Sequence, residues 1–186
     1  MPVKEIMTNS ENKMKKAADI LLDELKGVRT GMASTGLVEN IRVEYYGNPT
    51  PLKALAALST PQSDMILVKP FDPGSIKDID KAILASDVGL TPMVDGKVIR
   101  LNVPALTEER RRQIVHQIRG FGEQAKVSVR NVRRDEIKTL EKEEQGKLIT
   151  KDDLEKGKKQ LDDMAKQYTD KVDHMVKHKS DEIMQG

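Results

Sequence analysis

Apolar residues recur at three- and four-residue spacing from about Val3 to Arg29, where Met7, Met14, Ala17, Ala18, Leu21, Leu22, Leu25 and Val28 share one face. That period predicts an amphipathic helix. A second helix is predicted from Thr107 to about Gln145, entered after Pro104, with Thr107 as N-cap and Glu108 and Glu109 in the first turn, where the helix dipole favours acids. A third runs from Thr150 to about Met184. Thr150 caps it, Asp152 and Asp153 fill its first turn, and Leu154, Leu161, Tyr168 and Met175 repeat every seven residues, supported by Ala165 and Val172. The link Gln145-Gly146-Lys147-Leu148-Ile149 is short enough to turn the third helix back antiparallel on the second, so three one-faced helices predict a bundle.

The pattern changes between the first two helices. Residues 31–105 hold seven of the eight prolines and alternate instead: Ile41, Val43 and Tyr45 on one side of a strand, Arg42, Glu44 and Tyr46 on the other. Asn48-Pro49-Thr50-Pro51 reads as a turn and Met65 to Val68 as a short strand. Val98 to Val103 reads as a strand entered through Asp95-Gly96, and a helix is expected from Ser75 through Ile76, Ile79, Ala82 and Ile83 to about Val88. The expected fold is therefore α+β: a discontinuous antiparallel three-helix bundle (1–30 plus 105–186) with a small β/α/β domain (31–104) inserted after its first helix. Two chain segments then join the domains, around Thr30 and Gly31 and around Val103, Pro104 and Ala105. Gly31 is free in φ, whereas Pro104 fixes its own φ and restricts Val103, so the pair can act as a hinge or as ordinary helix punctuation.

Charge adds a direction to this picture. The chain has 32 Lys+Arg against 30 Asp+Glu, a net +2, yet between Arg110 and Arg134 eight bases face the single acid Glu123, a local +7. The insert is −1, with seven bases to eight acids, so the positive charge belongs to the bundle. At about 100° per residue, Arg112, Arg119, Lys126, Arg130 and Arg133 fall within roughly 60° of one another. Arg110 points away. Ile114, Ile118, Phe121, Ala125, Val129 and Val132 form a separate apolar stripe. A guanidinium fork suits phosphate, and a solvated helix face would interleave acids at i,i+4, so the stripe suggests an anionic partner, with a plain solvated face as the alternative.

Composition excludes several classes. With no cysteine there is no disulfide, zinc-thiolate site or thiol catalysis, and three histidines without a Gly-rich phosphate loop give little for an enzyme. His174 and His178 stand at i,i+4, but HMVKH lacks the glutamate of a zinc helix, so a helix-end charge pair is the better reading and no metal or other cofactor is expected. No apolar run reaches the roughly 18 residues of a membrane span, and the N-terminus resembles neither a signal nor a transit peptide, so the expectation is a soluble cytoplasmic protein. Aromatics are only 3% of the chain, which argues against base stacking and for contact through backbone and shape. A coiled-coil structural protein is the rival class, but it has no use for the insert.

Several segments together resemble one family. VRTG (Val28 to Gly31), VEYYGNPTPL (Val43 to Leu52), ASDVGL (Ala85 to Leu90), LTEERR (Leu106 to Arg111), VRNVRRD (Val129 to Asp135) and Leu148 to Asp153 are similar to the ribosome recycling factor family, in its order and spacing across nearly the whole chain. The resemblance implies an L-shaped, tRNA-like molecule, a monomer without catalytic residues. It would split post-termination ribosomes into subunits with elongation factor G, whose GTP hydrolysis drives the step. It also implies rRNA contacts on the large subunit near the inter-subunit bridges, carried over onto Arg29, Arg130 and Arg133, with Arg134 a further candidate and Arg112, Arg119 and Lys126 as supporting charge. Gly120 and Gly122 stand inside the second helix, each disfavoured by up to about 1 kcal/mol against Ala, and are expected to soften it.

Overall fold

The computed structural model describes residues 3–185 and contains helix α1 (Val3–Lys26), strands β1 (Arg42–Tyr45) and β2 (Asn48–Pro51), the single turn α2 (Leu52–Leu55), strands β3 (Ala56–Gln62) and β4 (Met65–Pro70), helix α3 (Ile76–Ala85), strands β5 (Pro92–Asp95) and β6 (Val98–Asn102), and the long helices α4 (Glu108–Gln145) and α5 (Lys151–Gln185). The chain forms two compact units, Met1–Leu25 with His116–Ser180, and Lys26–Val115 with Asp181–Gly186. The sequence placed the breaks at 30/31 and 104/105. In the structure the first turns of α4 and the last residues of α5 instead belong with the insert.

In the helical unit, α1, α4 and α5 share their apolar faces in layers. Ile6 meets Leu140 and Leu161, while Met14 and Ala17 meet Val129 and Ala165. As numbers rise along α1 and α5 they fall along α4, so α4 runs antiparallel to both. Thr107 caps α4 by accepting from the Arg110 N–H at 3.2 Å. Thr150 and Asp153 cap α5 reciprocally: the Thr150 hydroxyl accepts from the Asp153 N–H and the Asp153 carboxylate from the Thr150 N–H, each at 3.1 Å. The turn between them is closed by Lys147 at φ 58° and by the Leu148 N–H donating to the Glu143 carbonyl at 2.9 Å.

Three α1 positions depart from the expected face. Leu22 is exposed, while Ile6, which the expected face omits, is fully buried. Ser10, also fully buried, donates its hydroxyl to the Ile6 carbonyl at 2.7 Å and so stays satisfied on the apolar side. Gly122 has a reason beyond softness. A Cβ there would lie 2.6 Å from Val176 Cγ2, so the glycine permits close approach of α4 and α5, whereas Gly120 faces open space. Gly157 on α5 does the same against Leu140, at 2.8 Å.

The insert holds a two-stranded ribbon, β1–β2, and a four-stranded antiparallel sheet in the order β3-β4-β6-β5. Asn48 to Pro51, expected as a turn, is strand β2. Tyr45 pairs with Asn48 and Arg42 with Pro51, and the turn itself is Tyr46-Gly47. Prolines are tolerated there because β2 pairs with a strand on one side only. Strands β3 and β5 escaped the sequence reading because each is an edge carrying a proline and little alternation. Helix α3 covers a core of Val43, Leu52, Ile66, Val68, Ile79, Ile83, Ile99 and Leu101. It ends at Ala85, three residues before the expected Val88, where the Ser86 hydroxyl donates to the Ile83 carbonyl.

Candidate nucleic-acid interface

The basic stripe lies on one continuous helix, and its two edges have different surroundings. Arg130 and Arg134 are exposed, as is Arg119, which makes no hydrogen bond or ion pair among the described residues. Arg134 donates to the Asn131 side chain at 3.1 Å, and Arg130 has Glu123 only at 4.0 Å. These guanidiniums keep most of their donors for a partner.

Rotating by roughly 40–60° around the helix, Lys126 and Arg133 turn toward α5 and meet acids that the local sequence does not show. Lys126 is 19% exposed and bridges Glu123 at 2.7 Å and Asp173 at 3.0 Å. Those bonds hold its ammonium pKa above the usual lysine value, against the opposing effect of burial. Arg133 donates to Asp162 at 3.3 Å, while its Nε is buried without a partner, so it is half committed to the bundle. Asp162 and Asp173 lie 29 and 47 positions away in sequence, which is why a +7 window overstates the charge presented to solvent. Arg130, Arg133 and Arg134 line a shallow surface depression of about 500 Å³ together with Asn131 and Lys138. Lys138 falls outside the window that ends at Arg134, yet it stands four residues on, on the same line of the helix; the i,i+4 spacing was the signal available for it.

The remaining candidates belong to the insert-bearing unit. Arg112 is exposed on the first turns of α4 and paired with Glu108 one turn before it. Arg110, outside the stripe, bonds Gln113 at 3.0 Å. Arg29 is half-buried; its Nη2 donates to the Pro104 carbonyl at 3.2 Å and so joins the two linker segments. Gly31 adopts φ 85°, a left-handed conformation that favours glycine. Thr30 and Val103 are buried, whereas Pro104 and Ala105 are exposed. The Ala33 N–H donates to the Ser63 carbonyl and the Val103 N–H to the Asp64 carbonyl, both at 2.7 Å, pinning both linkers to the β3–β4 turn. His174 and His178 are exposed on α5, and no three metal-binding side chains gather among the described residues.

A helix this rich in free arginine can hold a phosphate backbone but gives no base-reading pattern, so comparison with known proteins has to decide what it serves. The family described as "Ribosome recycling factor" matches residues 21–184. The chain belongs to the ribosome recycling factor family. Family relatives include the ribosome-recycling factors of Bacillus subtilis, 43% identical over 98% of both chains, and of Natranaerobius thermophilus, 47% identical over 96% of this chain and 97% of that one. Among solved structures, the solution structure of a ribosome recycling factor superposes with a TM-score of 0.80 at 37% identity, covering 100% of this chain and 99% of the other. A second, described as the T. thermophilus ribosome recycling factor and the E. coli elongation factor G bound to the E. coli post-termination complex, gives 0.68 at 32% identity over 99% and 100%. Both the bundle and the insert of the family are thus present in this chain. No helix among the described residues is long and apolar enough to cross a membrane.

Proposed function

We propose that this chain, together with elongation factor G and GTP, dissociates post-termination ribosomes into subunits, binding large-subunit rRNA through the outward edge of α4. Family membership across nearly the whole chain carries this reading, and the second solved relative shows the company in which such a factor is found. Arg119, Arg130 and Arg134 supply unpaired or weakly paired guanidiniums for phosphates. Arg133, with one terminal nitrogen on an exposed Asp162, can exchange or share that partner. Lys126 contributes mainly by joining α4 to α5. The phosphate contacts position the factor and carry no sequence information.

The chain performs no chemistry of its own on this reading. The GTPase partner supplies the free energy, and the linkers at Thr30-Gly31 and Val103-Pro104-Ala105 let the insert press on the inter-subunit contacts while the bundle stays in register. The site of action places the protein in the cytoplasm. A subunit-splitting assay on post-termination ribosomes with elongation factor G and GTP, with and without the chain, tests this directly. Splitting should depend on its addition, and a rate equal to the omission control would overturn the proposal.

A further inference from the structure

Of the three histidines, His174 and His178 lie on α5 and His116 lies on α4. His116 is exposed and makes no hydrogen bond or ion pair among the described residues. At about 100° per residue it falls within roughly 60° of Arg119, Arg130 and Arg134. The one imidazole of α4 therefore stands on the same outward face as the guanidiniums that keep their donors.

The packed side of α4 is turned away from it. Ile118 and Ala125, both buried, lie roughly 160–180° around the helix from His116. In the groove between α1 and α4 the acid is Glu24, which stands with Phe121 and Gln124, and the α5 acid that reaches this stretch of α4, Asp173, is bonded to Lys126. On its own helix Glu123 is also taken by Lys126, Glu108 is paired with Arg112, and Glu109 stands about two turns away. No acid occurs from Arg112 to Gly120, so within a turn either side the imidazole has only cations, amides and apolar residues. One turn after His116, Gly120 leaves open space where a side chain would stand, and a partner's backbone can come close to His116 and Arg119.

Imidazole differs from every other group on this face in gaining its charge between about pH 8 and pH 5. Once protonated, both ring nitrogens donate, and a charge-assisted bond to a phosphate oxygen becomes available. A second cation three residues from Arg119, with no acid beside it, is neutralised only by an anion from outside. Resting on the rRNA binding proposed above, we infer that His116 is a proton-dependent phosphate contact, so that binding of large-subunit RNA takes up a proton at this side chain and tightens as pH falls. Proton and RNA are then linked ligands, each strengthening the binding of the other by the same factor.

The test measures large-subunit affinity, without elongation factor G, from about pH 6 to about pH 8 for the parent, His116→Gln, His116→Lys and His174→Gln. Each variant is compared with the parent on the same ribosomes at the same pH, so that titration of the RNA itself cancels. At about pH 8 the parent and His116→Gln should bind alike, and at about pH 6 the parent should bind about fivefold tighter, the lower end for coupling between two ligands. Over the same interval the parent's salt slope should steepen by about one counterion relative to that of His116→Gln. His116→Lys should hold the tighter affinity at both ends, and His174→Gln should follow the parent throughout, all with the parent's melting temperature. A ratio of parent to His116→Gln affinity that stays constant with pH overturns the inference, as does an equal loss in His174→Gln. A parent that binds no large subunits at any pH brings down the functional proposal and this inference together. Parent binding with indifferent His116 variants removes this inference alone.

Discussion

The face of α4 that turns toward α5 and the face that turns to solvent are built from similar residues and put them to opposite uses. On the inner edge, Gly122 admits Val176, Lys126 bridges Glu123 and Asp173, and Arg133 reaches Asp162. On the outer face, a Cβ at Gly120 would meet no neighbour within 4 Å, and Arg119, Arg130 and Arg134 keep most of their donors. A glycine or a cation on this helix therefore has no fixed meaning; roughly half a turn separates the two glycines and roughly 40–60° Arg130 from the inward cations, and that rotation decides whether a residue holds the bundle together or meets a partner.

The sharpest way to break this contrast is Gly122→Ala. A methyl group 2.6 Å from Val176 Cγ2 must displace α5 or its side chain, so overpacking should destabilise the protein by about 1–3 kcal/mol, visible as a lowered denaturant midpoint. On the outer face, Arg130→Ala combined with Arg134→Ala should weaken large-subunit binding about tenfold, roughly 1.4 kcal/mol, and reduce the salt slope by about two counterions, with melting temperature little changed. A double variant with the parent's salt slope would remove those two residues from the RNA face. Gly120→Ala, the outer counterpart of Gly122→Ala, should stabilise by up to about 1 kcal/mol by thermal melting, since it gains helix propensity and meets no neighbour.

The smallest effect is expected at Lys126. Lys126→Met should lose at most about 1 kcal/mol at neutral pH, because both acids it bridges are themselves well exposed, and should leave ribosome affinity close to the parent's. The pH dependence separates it further. A lysine whose folded pKa lies above its unfolded value contributes stability that is complete below the unfolded value, near 10.5, and is lost as pH rises through the folded one. Tyr168 acts in the same direction. Burial first, then the Glu11 and Asp19 carboxylates, raises its phenol above 10.0, so its contribution also fades in alkali. Urea melts from pH 9 to 11 should show a shallower decline for Lys126→Met than for the parent.

The long helices were legible because period and caps agreed. Expected limits of Thr107 and Gln145 became Glu108 and Gln145, with Thr107 capping as its position implied. The insert was only half legible. Its buried strands alternate, but β2, β3 and β5 lie at edges, where prolines and exposed side chains erase the pattern. Within the candidate site, the stripe's angular placement on α4 followed from arithmetic on one helix. The neutralisation of Lys126 and Arg133 did not, because Asp162 and Asp173 arrive from another helix whose register is set by packing. Ile6 and Leu22 show the same limit on α1: hydrophobicity gives a face but not how far around the helix two partners cover it.

The pinning of both linkers to adjacent carbonyls at Ser63 and Asp64 has a consequence for folding order. Between α1 and α4 lies a connection of roughly 80 residues, and closing so long a loop costs entropy that grows with the logarithm of its length. Once the insert has folded on itself, its entry and exit points are fastened side by side, and for the helices that long connection shrinks to a tight hairpin. A chain whose insert forms first would therefore assemble its bundle as a local event, by the same logic that makes low contact order fast.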